Sequence, residues 1–424
     1  MKVKDFERIQ ERIYRYDHPS GLKAFVIPKK GYNKKYATFA TYYGSVNNTF
    51  IIPGQKNETH VPDGIAHFLE HKLFEQEDGS VMDKFSKLGS EPNAYTSFTQ
   101  TVYLFSCTDY FEENFRLLVD YVQHPYLTDE SVEKEKGIIG QEIKMYEDNA
   151  DWRVFFNLLD ALYVNHPVKI DIAGTVDSIS KITKETLLLC YNTFYHPSNM
   201  IILVVGDVEP QSVFKMVENG IRHKENPGKI ESIFPDEPKH HNKRVVEKKL
   251  AVAMPQFQMG IKDNSNVFGY DLLKRKVAIE IILSMLMGRS SKLYNELYDE
   301  GLINQTFGSE VMLEGLYGFS AWGGQSNEPI KVYERINEML EKTKKDGLDK
   351  ESFARIKNAH EGRFIRSLNS PENISHSFIP LHFKGADYFD HAKVYEELTF
   401  SDTEEIFYSH FELEPALSVI WPVK

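Results

Sequence analysis

Cysteine is nearly absent: 424 residues hold two, Cys107 and Cys190, far apart in sequence. That excludes a disulfide framework and a cysteine metal site, and it fits a reducing compartment. Long apolar runs are missing as well. The longest uninterrupted aliphatic stretch, Met200 to Val205, is far short of the ~20 residues that span a bilayer. The N-terminal segment MKVKDFERIQERIYRYDHPSG has no apolar core of the secretory kind. Basic charge is outweighed, with 50 Lys+Arg against 62 Asp+Glu and a net charge of -12. Such a surface repels phosphate backbones and anionic lipid and attracts cationic peptides. What is present, 41% hydrophobic and 26% charged residues, belongs to a folded globular protein. Composition therefore predicts an acidic, cytoplasmic, multidomain protein without nucleic-acid or membrane partners.

A polar stretch holding Pro227, Pro235 and Pro238 divides the chain. It predicts an N-terminal domain over 1–222, a linker over 223–243 and a C-terminal domain over 244–424. The two halves echo each other. Thr183 and Thr399, Tyr191 and Phe407, and Tyr195 and Phe411 are each separated by 216 positions, with an apolar strand after each set. A duplicated domain follows from that shared offset. Strands are expected at 24–28, 36–43, 101–107 and 201–206, and helices at 131–164, 274–287 and 331–345. The spacing is not a regular βαβ alternation, so the fold class is α+β: two homologous domains, each a mainly antiparallel sheet packed with helices.

The informative segment runs from Pro62 to Phe74. Asp63 reads as the helix N-cap, and Ile65, Leu69 and Leu73 form a core-facing stripe. His67, Glu70 and His71 fall at i, i+3 and i+4 and share a different face. Two histidines one turn apart suit one zinc ion, and the carboxylate between them is placed to deprotonate water. This H-x-x-E-H order is the inverse of the better-known H-E-x-x-H zinc-binding order. A third ligand is available in Glu142, set among Ile138, Ile139, Ile143 and Met145. A buried carboxylate needs a partner, and a metal is the strongest one. Glu135, seven residues earlier on the same face, is placed to orient a histidine. Both glutamates read equally well as surface charges on an amphipathic helix.

Five blocks carry a resemblance. GIAHFLEHKLFE, SEPNAYTSFTQTVYLFS, EKGIIGQEIKMYEDNADW, HPVKIDIAGTVDSISKIT and FYHPSNMIILVVGDV together resemble the pitrilysin-like, or inverzincin, zinc peptidases. That family includes mitochondrial processing peptidase and insulin-degrading enzyme. Within it the chain looks closest to short bacterial subunits of two domains, particularly a Gram-positive branch. The resemblance implies one zinc per chain, held by His67, His71 and Glu142, with Glu70 as general base and Glu135 at a second acidic position. Asn93, Ala94 and Thr96 match the edge strand on which the family lays its substrate by strand addition. It implies a clam-like chamber formed on dimerisation, and short or unfolded polypeptides as substrate.

One departure stands out. Active members carry an arginine and a tyrosine in the second half, within a block like L-R-E-x-x-G-L-A-Y. Here Tyr298 stands at the arginine position, and the tyrosine position falls on Asn304 or Gln305. The expected arrangement is a heterodimer in which a homologous subunit supplies the pair. A homodimer acting alone is the other arrangement, and a non-catalytic, peptide-binding or scaffold subunit is the competing function. His240-His241, in the linker, reads as a solvated loop, and Cys107 and Cys190 as small core residues.

Overall fold

Met200–Gly206 (MIILVVG) is buried at every position. A strand covered on both faces needs apolar side chains throughout rather than in alternation. It lies at the centre of a seven-stranded sheet ordered Lys2–Phe6, Glu11–Asp17, Lys23–Pro28, Met200–Gly206, Lys35–Thr41, Thr101–Cys107 and Glu91–Thr96. Only the pairing of Met200–Gly206 with Lys23–Pro28 is parallel; the others are antiparallel. The outer strand Lys2–Phe6 (KVKDF) is mostly exposed and charged, which protects that edge from adding further strands.

This computed structural model describes residues 1–222 and 225–423. The first two positions of the linker expected at 223–243, and the last of the domain expected at 244–424, lie outside the described residues. The chain divides into two compact units. One comprises Met1–Ile143, Ile170–Phe234 and Ser367–Pro380; the other comprises Lys144–Lys169, Pro235–Arg366 and Leu381–Lys424. The units are thus interleaved along the sequence, each taking one segment from the opposite half of the chain.

In the first unit, the segment from Ser367 to Pro380 packs against one face of the sheet. Phe378 packs edge-on to Phe25 with centroids 5.1 Å apart, and His376 Nε2 lies 3.2 Å from the Tyr36 hydroxyl. The opposite face carries the helix Ile65–Leu73 and its neighbours, with Phe74 against Tyr103.

The second unit holds a five-stranded sheet ordered Val245–Leu250, Ala416–Pro422, Gln256–Asp263, Gly318–Gln325 and Gly308–Leu313. Again only the first pair is parallel. This is the order and hand of pairing of the last five strands of the first sheet, so the duplication legible in the sequence is a duplication of topology. The echo extends to helix starts: Thr183 and Thr399 each close a capping box, on helices Lys184–Phe194 and Phe400–His410.

The helix expected over 131–164 is two helices, Asp129–Glu147 and Ala150–Leu162. Asn149 breaks it by accepting the Trp152 N–H on its side chain at 3.0 Å and so capping the second helix. Both cysteines are buried and free. His241 does lie in a loop, with Nε2 2.8 Å from the Glu414 carbonyl. Among the described residues no helix is long and apolar enough to cross a membrane.

Candidate metal and active site

The helix Ile65–Leu73 begins at Gly64, not at Asp63. Gly64 has φ 87°, and a Cβ there would meet the Ala173 carbonyl oxygen at 2.4 Å. Only glycine fits so close a backbone approach. Asp63, expected as the cap, instead accepts a hydrogen bond from Asn48 at 2.8 Å. Ile65, Leu69 and Leu73 are buried as the periodicity predicts. Lys72 is fully buried too, paired with Glu75 and reaching the Ser131 carbonyl at 3.4 Å. It ties this helix to the long helix Asp129–Glu147, a link with no signal in the local sequence.

The other face presents His67, Glu70 and His71. His67 and His71 stand with ring centroids 4.6 Å apart. From the long helix Glu142 faces both, with Oε1 3.7 Å from His67 Nε2 and Oε2 3.5 Å from His71 Nε2. Ligand atoms of His67, His71 and Glu142 all lie within 4.8 Å of one another and could hold a metal ion. Ligands at about 2.1 Å around one tetrahedral ion lie roughly 3.4 Å apart, so this donor set fits zinc. Glu135 sits behind His71, its Oε1 3.0 Å from Nδ1. That bond directs His71 Nε2 toward Glu142, as carboxylate partners do for metal-binding histidines. Burial of the long helix comes from Ile139 and Ile143; Ile138 and Met145, expected to shelter Glu142, are exposed.

The electrostatics separate the groups. Burial, and then the neighbouring His71, push the His67 imidazole down to about 3, so it is held neutral. Burial pulls His71 the same way, but the bond it donates to Glu135 and the charges of Glu70 and Glu142 carry it above its ordinary value. Burial acts upward on Glu135, and His71 more than offsets it, leaving that carboxyl lowered. Glu70 is raised, chiefly by burial and against the hydrogen bond from Thr96. A carboxylate made more basic by burial is suited to take a proton from water.

Glu70 is 8% exposed and stands outside the three-ligand group. Its Oε2 accepts the Thr96 hydroxyl at 2.6 Å. Thr96 ends the strand Glu91–Thr96, which closes one edge of the seven-stranded sheet. Asn93 and Ala94 lie on that same strand. The Thr96–Glu70 bond was invisible in the sequence, because it joins a strand to a helix 26 residues earlier. In the second unit, the stretch from Asn295 to Phe307 contains the end of helix Lys292–Asp299. There Tyr298 is exposed and stacks on Tyr294, and Asn304 accepts from Thr306.

Residues 48–176 match the profile of Insulinase (Peptidase family M16), and residues 181–359 that of the Peptidase M16 inactive domain. An uncharacterized zinc protease of Bacillus subtilis, YmfH, is 44% identical over 417 residues, covering 96% of this chain and 95% of that protein. The mitochondrial-processing peptidase subunit beta of Caenorhabditis elegans is 26% identical over 292 residues, 61% of this chain and 62% of that one. A crystal structure of an M16-like peptidase from Alicyclobacillus acidocaldarius superposes with a TM-score of 0.94 at 36% identity, covering 97% of this chain and 99% of the other.

Proposed function

The chain belongs to peptidase family M16, the insulinase and pitrilysin-like peptidases, and from that premise we propose that it is a zinc metalloendopeptidase acting on short or unfolded polypeptides. One observation carries the reading: three metal-competent donors converge beside a buried carboxylate that stands outside the donor set. His67, His71 and Glu142 would hold one zinc ion per chain, and Glu135 orients His71. Zinc in such a site supplies a Lewis acid for the peptide carbonyl. Glu70 takes the proton of the attacking water and delivers it to the leaving amine, a transfer its upward shift favours. The substrate is laid as an added strand along Asn93, Ala94 and Thr96, where backbone groups supply affinity and alternate side chains supply selectivity.

The second half lacks the arginine and tyrosine expected of an active member, with Tyr298 and Asn304 or Gln305 in those places. Loss of such a stabiliser usually costs about 10²–10³ in rate. The reading that accommodates this is a heterodimer with a homologous subunit that carries the pair; a relative bearing the name of a processing-peptidase subunit supports it. Two buried, unpaired cysteines support a cytoplasmic setting. The same missing pair favours a second reading, a non-catalytic peptide-binding or scaffold subunit.

Zinc analysis and peptide hydrolysis separate the two. Zinc near one per chain, with cleavage of an unstructured peptide library that increases when an arginine- and tyrosine-bearing homologue is added, supports the paired peptidase. Equal activity with and without such a homologue refutes the pairing. Protein that carries no zinc and cleaves nothing in either case is a scaffold.

A further inference from the structure

Lys72 directly follows His71 in the chain and is 0% exposed. Taking an ammonium out of water costs several kcal/mol, and an apolar side chain of similar volume often serves such a place equally well or better. Stability alone therefore does not account for a lysine here. Its two partners are fixed points. Glu75, the ion-pair partner, stands in the short strand Glu75–Gln76, which pairs with Gly79–Ser80. The Ser131 carbonyl accepts from Nζ at 3.4 Å. Ser131 lies in the first turn of Asp129–Glu147, where its N–H donates to Thr128 Oγ1 at 3.1 Å and its Oγ accepts the Thr128 N–H at 3.2 Å. That reciprocal cap fixes the turn.

The Lys72–Ser131 bond spans the two helices that carry the metal donors. His71 meets Glu135 at 3.0 Å, and the next residue, Lys72, meets the carbonyl about one turn before Glu135. Glu142 follows Glu135 by about two turns on the same helix. Sliding the long helix by one residue moves Glu142 by about 1.5 Å, whereas a metal site tolerates about 0.2 Å in its ligand distances. The His71–Glu135 bond and the approach of Glu142 to both histidines are made by the site's own residues. The bond from Lys72 is not, so it holds the helices in register whether or not an ion is bound.

We propose that Lys72 is a positioning residue for the zinc site: its buried ammonium sets the register of Ile65–Leu73 against Asp129–Glu147, seating Glu135 on His71 and Glu142 opposite both histidines. This role rests on the zinc site of the proposed peptidase and deepens that reading. The buried charge serves the geometry of the donors rather than the stability of the fold.

Zinc competition with a chelator and urea unfolding, both on the full chain, test the role. Lys72→Met keeps an unbranched stem and removes the charge, and Glu75, whose side chain is 38% exposed, is left to solvent rather than buried alone. Zinc affinity is expected to fall about 10-fold, while the urea midpoint of the zinc-free protein stays level or rises. A double-mutant cycle shows what Lys72 acts through. With Glu135→Gln already in place, Lys72→Met is expected to cost at most about threefold in zinc affinity, because one of the two carboxylates it seats is gone. Additive losses in the cycle, an unchanged zinc affinity or a lowered midpoint overturn the positioning role. A Lys72→Met chain that does not fold overturns it too, since the lysine is then structural. Wild-type protein that takes up no zinc removes the metal site and this role together. Wild-type protein that binds zinc but cleaves no peptide removes the peptidase reading alone, and the affinity comparison still decides Lys72.

Discussion

The two sheets share five strands in the same order, yet the segments they carry between corresponding strands differ. Between Lys35–Thr41 and Glu91–Thr96 the first unit places the helix with His67, Glu70 and His71. Between Gln256–Asp263 and Gly308–Leu313 the second places Gly269–Met287, whose buried positions include Leu272, Ile279, Ile282 and Leu283. The second unit has its own buried histidine–carboxylate pair. His410 Nδ1 lies 2.8 Å from Asp263 Oδ2, Arg275 Nε 3.0 Å from the same oxygen, and Ser320 Oγ 2.7 Å from His410 Nε2. In composition this chain looks catalytic, but Ser320 is wholly buried and both nitrogens of His410 are engaged within the fold. His71 is also bonded to a carboxylate through Nδ1, while its Nε2 faces Glu142 and His67. A buried polar cluster becomes a site when a donor atom is left directed at a shared point; fully paired, it is structure.

Removing one carboxylate from each unit tests that contrast most severely. Glu70→Gln should lower peptide hydrolysis by about 10²–10⁴ or more while zinc content and thermal stability hold. Asp263→Asn should do the reverse, destabilising the protein by about 3–5 kcal/mol in urea unfolding with zinc content unchanged. If Asp263→Asn left stability intact and removed hydrolysis, the distinction between the two clusters would collapse. A smaller effect is expected from Glu135→Gln, which loses the group that orients His71. Its zinc affinity should fall about 10–100-fold, measured by competition with a chelator.

Acidity gives the finest comparison. In the second unit burial pushes His166, His360 and His391 down to about 4, and it lowers His410 against the upward pull of Asp263. Each is neutral when folded but takes a proton near pH 6.5 when unfolded, so the unfolded state binds more protons below that pH. Stability contributed this way is complete above about pH 6.5 and is lost as pH falls toward the folded values. Each group adds up to about 1.4 kcal/mol per pH unit to the slope. Replacing His410 with Gln should flatten the acid limb of the unfolding profile, and an unchanged limb would rule out its part in the slope.

Much of this was legible because it depends on short-range pattern. The four-residue recurrence of Ile65, Leu69 and Leu73 placed the histidine helix, and the shared offset of Thr183 and Thr399 revealed the repeat. Glu142 was legible through its place on a helix beside the apolar Ile139 and Ile143 and through the resemblance, which puts a third ligand there. What stayed hidden depends on contacts between distant residues. The helix start at Gly64 is set by the Ala173 carbonyl, and buried Lys72 is satisfied by Ser131. Asn149 reads as an ordinary polar residue until its side chain is seen capping the next helix. Nor could periodicity reveal that His376 meets Tyr36, 340 positions away.

That last contact belongs to the interleaving of the units and bears on how the protein comes into being. The first unit includes Ser367–Pro380, so Phe25 and Tyr36 still lack the contacts of that segment after everything through Phe234 has left the ribosome. At about 5–20 residues per second, roughly 7–30 s pass before the missing segment emerges. The half of the chain that carries the histidines is therefore made first and finished late. A nascent chain stalled within the second half would display Phe25 and Tyr36 as an uncovered surface, open to chaperones and to aggregation.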